Sequence, residues 1–250
     1  MGQPSAAWQS LEGRICFVSN TGLLEISVET AEAATAAERG GAHRIELCVA
    51  LADAGLTPGE ELMRRVREQV RLPIFVMIRP RAGDFLYSSA EFDRMLSEIA
   101  IAKRLGMNGA VFGLLTKERR VDVRRTKELV NKARPLPVTF HRAFDGCADL
   151  LESLEDVIET GAARILTSGG ALTAPEGLGV LKNLVTAAKE RVIIVPGGGI
   201  NASNIANAAQ ETGAREFHSG LGSVLAYGRK DYKSFENEVR KLAAQLAGAD

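Results

Sequence analysis

The stretch Pro137-Val138-Thr139-Phe140-His141-Arg142-Ala143-Phe144-Asp145 ends a short apolar run in three ionisable side chains. Its β-branched and aromatic content reads as a buried strand, and a buried strand seldom ends in His, Arg and Asp without a reason. Other strand-like runs behave similarly. Glu25 and Ser27 stand two apart in 23–28, Glu46 and Cys48 two apart in 44–48, and Arg79, Arg81 and Asp84 follow the run 74–78. Residues two apart in a strand share a face. An inventory of Glu, Arg and His suits proton transfer on an anionic substrate. Glu25 or Glu46 is then the candidate general base, His141 the acid or electrophile, and Arg79 the counter-ion for a carboxylate or enediolate. Asp145 belongs to the same candidate set, although it and Arg142 have the competing use of ordering the loop. Glu25, Glu46 and Arg79 also have a structural reading, in which they neutralise one another inside the fold.

A second signal is rich in glycine. "PGGGINASN" and "HSGLGS" follow the last two strand-like runs, and exposed backbone N–H groups in such turns bind phosphate. Gly197, Gly198, Gly199, Ser219 and Gly220 are the candidate phosphate-binding residues, with Asn201 or Ser203 expected to cap the helix that follows. Other chemistry is unsupported. No lysine lies in any strand-like run, which removes the obvious Schiff-base nucleophile. No His-x-His or Cys-x-x-Cys spacing offers a closed zinc site.

The elements that must position these groups alternate regularly. Strands are expected at 23–28, 44–48, 74–78, 109–113, 137–141, 164–168, 192–196 and 215–219, with amphipathic helical patterns between them. "SSAEFDRMLSEIAIAKRLG" is one such helix, with Ser88 or Ser89 as N-cap and Gly106 past its end. Gly41, Gly106, Gly161 and Gly213 each precede a strand and suit the left-handed residue that closes a helix. The repeat predicts an eight-stranded parallel (β/α)8 TIM barrel over 23–250, a single domain behind an N-terminal extension, 1–22. An open doubly wound sheet would need a glycine-rich loop after the first strand, and Val28-Glu29-Thr30-Ala31 has none. A barrel instead gathers polar groups at the C-terminal ends of its strands.

Composition narrows the function classes. Thirty-one basic residues balance thirty-one acidic ones, and no basic block suggests a nucleic-acid partner. No apolar run approaches the roughly 20 residues that span a bilayer, and the first residues lack the pattern of a secretory signal. Cys16, Cys48 and Cys147 are few, odd in number and scattered, which points to a reducing cytoplasm.

"ERGGAHRIELC", "GLTP", "FVMIRPRAGDFLYS", "PLPVTFHRAFD", "RILTSGG" and "PGGGI", in this order, resemble the CutC copper-homeostasis family from about Leu23 to His218. The resemblance implies a cytoplasmic, often homo-oligomeric TIM barrel linked to copper tolerance and proposed to bind Cu(I). It further implies a metal site with a cysteine at the ends of strands 1 and 2. Here the second is Cys48 and the first is Ser27, a hard oxygen ligand where Cu(I) prefers sulfur; Met77 and His141 are further candidate donors. Three readings remain open: a copper-homeostasis protein binding Cu(I) through Cys48, an enzyme moving protons on a small anionic metabolite with or without a phosphate, and a structural or interaction scaffold, which a rim without a pocket would support.

Overall fold

The computed structural model describes residues 22–221 and 230–249, so all but the last residue of the expected N-terminal extension, 1–22, lies outside the described residues. Eight strands form as the periodicity requires: β1 Leu23–Val28, β2 Arg44–Leu47, β3 Ile74–Met77, β4 Gly109–Phe112, β5 Val138–Phe140, β6 Arg164–Thr167, β7 Ile193–Pro196 and β8 Glu216–Ser219. All are parallel, in the order β7-β6-β5-β4-β3-β2-β1-β8. β7 and β8 come together without a hydrogen-bonded ladder, so the barrel closes at a seam. The helices α1 Ala31–Gly40, α2 Glu60–Gln69, α3 Ser89–Arg104, α4 Val123–Ala133, α5 Leu150–Thr160, α6 Leu178–Ala188, α7 Ile205–Thr212 and α8 Tyr232–Ala247 follow the strands in turn. None of the described helices is long and apolar enough to cross a membrane.

Local chemistry explains where the helices start. Ser88 caps α3 in a reciprocal box with Glu91. α7 departs from expectation: it begins at Ile205, and Asn201 and Ser203 belong to the turn before it. Asn204 accepts from Asn201 N–H and donates to Gly199 O, which ties the turn down before the helix starts.

Strand alternation divides the core in two. Leu24, Ile26, Ile45, Leu47, Val76, Phe112, Phe140 and Phe217 face outward into the main apolar layer under the helices. Cys48, Phe75, Met77 and Val111 form a smaller apolar cluster of their own. Charge fills another part of the interior: Arg44 pairs with Glu25 and with Glu216 at 2.7 Å, and Arg164 joins Glu216 at 2.8 Å. Both guanidinium groups also lie over the Phe75 ring, Arg44 at 4.8 Å and Arg164 at 5.3 Å from its centroid, where the negative face of the ring attracts a cation. The structural reading of buried charge therefore holds for Glu25, with a different partner: Arg44 neutralises it.

Candidate active site at the barrel mouth

A cavity of about 400 Å³ at the C-terminal ends of the strands is lined by Ser27, Glu46, Met77, His141, His218 and the turns Gly198–Asn201 and Ser219–Leu221. Strand register explains the polar set. Glu25 of β1 stands beside Arg44 of β2 on one side and His218 of β8 on the other, while Ser27 pairs with Glu46. The side chains join accordingly. His218 Nδ1 lies 2.7 Å from Glu25 Oε1 and its Nε2 2.9 Å from Ser27 Oγ. Ser27 Oγ donates to Glu46 Oε1 at 2.8 Å. One continuous chain of hydrogen bonds thus runs Glu25–His218–Ser27–Glu46.

The environment separates the two carboxylates. Burial opposes ionisation of Glu25, but the Arg44 charge and the His218 hydrogen bond overcome it and hold its carboxyl well below the usual range. Burial raises Glu46 instead; the His218 charge works against this and the Glu25 charge reinforces it. His218 loses basicity through burial, yet the carboxylates of Glu46 and Glu25 raise it overall. Glu46 is therefore the more weakly acidic of the two, and its Oε2 is buried with no hydrogen-bond partner.

His141 is the opposite kind of histidine. Its Nδ1 accepts from Ala143 N–H at 3.2 Å. The ring proton therefore sits on Nε2, since the bond made by one ring nitrogen sets the state of the other. Burial and the nearby Arg79 charge push it down to about 3, so the ring is neutral. Nε2 is buried and has no partner. Glu46 Oε2, an acceptor, and His141 Nε2–H, a donor, are thus buried side-chain atoms at the mouth without a partner.

The remaining candidates have other partners. Arg79 donates to the carbonyls of Asp53, Gly55 and Gly83, which occupies it as a clamp on two loops instead of leaving it as the counter-ion. Asp145 accepts from Thr167 Oγ1, Ser168 N–H and Oγ–H, Gly170 N–H and Arg142 Nε; the carboxylate orders the β6 turn. Gly197 N–H bonds Thr167 O. A Cβ at Gly197 would lie 2.4 Å from Leu166 Cδ1 and 3.2 Å from His218 Cβ, so this glycine lets β7 approach β8. Ser219 Oγ donates to Ile200 O and ties the two turns together. Gly198, Gly199 and Gly220 line the cavity. His218, Arg44 and Glu216 were missed as a set, although the inward alternation of Glu216 and His218 on β8 was the available signal.

A model described as the CutC family matches residues 22–223. The chain belongs to the CutC family. It is 44% identical over 228 residues to the copper homeostasis protein cutC homolog of Mus musculus, covering 91% of this chain and 82% of the relative. The Homo sapiens homolog of the same name is 43% identical over 229 residues, with 92% and 82% covered. The CutC structure from Streptococcus agalactiae aligns with a TM-score of 0.75 at 32% identity, over 79% of this chain and 98% of that one. Phosphoribosylanthranilate isomerase from Thermotoga maritima, at 14% identity, a TM-score of 0.59 and 89% and 99% coverage, shares the barrel fold.

For a CutC chain the donors for Cu(I) are of interest. Cys48 is fully buried, its Sγ pointing to Val28 O at 3.9 Å. It packs with Met77, and a Cβ at Gly55 would touch both, 3.4 Å from Cys48 Sγ and 3.2 Å from Met77 Cε. Burial, then the charges of Glu46 and Glu29, push the Cys48 thiol far up. Glu25, Glu46 and His218 place ligand atoms within 4.8 Å of one another. Those are hard or borderline donors already engaged by Arg44 and Ser27 and suit Cu(I) poorly.

Proposed function

We propose that this chain serves copper homeostasis, the role in its relatives' names, in a reducing cytoplasm, with Cu(I) as cargo at the barrel mouth. The observation that carries this reading is that Cys48 and Met77, a thiol and a thioether, share one small buried cluster inside the barrel beside Gly55. Soft sulfur donors select Cu(I), and Met77 also lines the cavity at the mouth. Binding would have to displace the Cys48 proton, so affinity rises with pH. Competition titration against a Cu(I) chelator under reducing conditions tests it. The wild-type chain is expected to take up one Cu(I), Met77→Leu to hold it more weakly and Cys48→Ser to lose it. Undiminished uptake by Cys48→Ser sinks the site.

A second reading has its own support in the two unpartnered buried atoms. In this reading Glu46 Oε2 serves as general base and His141 Nε2–H as neutral electrophile, supported by both atoms being buried without a partner. In such a step Glu46 takes a proton from a carbon beside a carbonyl. The C–H electron pair becomes the C=C bond of an enolate, and His141 donates to the oxygen that gains the charge. In a hydroxy-carbonyl substrate, return of that proton to the former carbonyl carbon, while the hydroxyl on the first carbon gives its proton to His141 and becomes the new carbonyl, completes an isomerisation without a co-reactant. The Ser27–His218–Glu25 chain would stabilise either protonation state of Glu46. Deuterium incorporation from heavy water into small hydroxy-carbonyl compounds tests it, and exchange that survives Glu46→Gln counts against it.

A further inference from the structure

The seam between β7 and β8 brings two turns together at the cavity, and several of their N–H groups make no hydrogen bond to described residues. The N–H groups of Gly198, Gly199, Ile200 and Gly220 donate to no acceptor among the described residues. All four residues line the same cavity. Gly198 and Gly199 have φ of +92° and +79°. L side chains rarely adopt that conformation, and glycine lets the turn take it beside the cavity.

Arg142 adds a charge. Its Nε and Nη2 are held by Asp145 and Ser168, both at 2.8 Å, while Nη1 donates to no described group. A Cβ at Gly198 would lie 2.9 Å from that Nη1, so the bare glycine lets the guanidinium lie against the turn. Asp145 offsets part of the charge and fixes its position. The free donor of His141 and free acceptor of Glu46, both over nine-tenths buried, line the same cavity.

We propose that the β7–β8 seam is a binding site for the phosphoryl group of a small phosphate monoester, whose polar body extends toward His141 and Glu46. A tetrahedral dianion offers several acceptor oxygens to four amides and a guanidinium. The donors are turn amides ahead of α7, because the helix itself starts only at Ile205. The orientation of the ligand body rests on the proton-transfer reading; the anion site does not.

Inorganic phosphate, titrated at constant ionic strength into ¹⁵N-labelled full-length chain, is the probe. The expected result is saturable shifts at the amides of Gly198, Gly199, Ile200 and Gly220. Arg142→Met is expected to weaken phosphate about tenfold, as loss of one charge-assisted donor implies, while Arg240→Met on the exposed face of α8 serves as the charge control. Absence of saturable shifts at these amides overturns the proposal, and so does equal weakening by both variants. If Arg142→Met unfolds, the wild-type shift map alone decides. Phosphate binding with no deuterium exchange into sugar phosphates supports this site and removes the proton-transfer reading. Exchange without phosphate binding does the reverse.

Discussion

Ser27 donates its hydroxyl hydrogen to Glu46 across the β1–β2 pair at 2.8 Å, and the same oxygen meets His218 Nε2 at 2.9 Å. A serine where the family resemblance implies a thiol is thus the central link of a buried proton chain. Ser27→Ala leaves Glu46 Oε1 and His218 Nε2 without their shared partner, at a cost of about 1–3 kcal/mol. The cost depends on pH. Glu46 is raised in the folded chain, so the fold holds its proton after the unfolded chain has released it, and its penalty grows as pH rises above the ordinary value of 4.5. Removing the Ser27 hydrogen bond raises Glu46 further. Denaturant melts should show a larger loss for Ser27→Ala at neutral pH than at pH 4.5; an equal loss refutes an ionised Glu46 as the acceptor. Ser27→Cys should strengthen Cu(I) binding if Cys48 is a ligand, read by the same chelator competition.

The two inward histidines should titrate in opposite senses. His141 is depressed to about 3, against 6.5 when unfolded. Between those values the unfolded chain binds the extra proton, so stability falls as pH drops from 6.5 toward 3, by on the order of a few kcal/mol. His218 is raised, so its contribution is complete below 6.5 and is lost as pH climbs through its folded value. Ring ¹⁵N spectra should show His141 as the neutral Nε2–H tautomer at pH 5, with His218 still doubly protonated at the same pH. A His141 resonance that titrates near 6.5 would contradict its burial.

The barrel was legible because its signal is local and repeated. β-branched runs, Ser88 and the glycines at 41, 106, 161 and 213 each obey a rule that operates within a few residues. Inward-facing Glu25, Ser27, Glu46 and Cys48 followed from period-two alternation alone. Pairings across the barrel were not legible. Glu25 meets His218 across 193 positions of sequence, and Arg44 meets Glu216 across 172. Only closure and shear determine such contacts. Arg79 shows the same limit: its place after β3 predicted a charge at the mouth, but loop carbonyls claimed it.

Asp145 is expected to behave as an architectural residue. Its carboxylate receives hydrogen bonds from Thr167, Ser168 and Gly170 and an ion pair from Arg142 at 2.8 Å. Asp145→Asn keeps the shape but removes the charge and turns one oxygen into a donor facing donors. A loss of about 2–4 kcal/mol corresponds to a drop in Tm of about 5–10 °C for a chain of this size. Calorimetry checks this, and an unchanged Tm would show that the β6 turn does not depend on the carboxylate.

Arg79 should control access to Cys48. The lip Leu51–Gly55 passes over the thiol, and Ala50 and Ala54 hold φ of +54° and +63° there. Such conformations cost energy outside glycine. Three hydrogen bonds hold the lip down: Arg79 Nη1 donates to Asp53 O and Gly55 O, and Leu51 N–H donates to Glu29. Arg79 is itself anchored by Gly83 O at 2.9 Å and lies over Phe85. Removing the guanidinium frees two lip carbonyls and lets the strained segment relax outward. Arg79→Met is therefore expected to speed disulfide exchange at Cys48 at least about tenfold, the population shift that losing about 1.4 kcal/mol of closure implies. Site-resolved mass spectrometry of the Cys48 peptide reads the rate, with Cys147, buried elsewhere under the β5 turn, as the internal reference. Equal acceleration of both cysteines would mean that the variant loosens the whole barrel, and no acceleration would mean that the lip is held closed without Arg79.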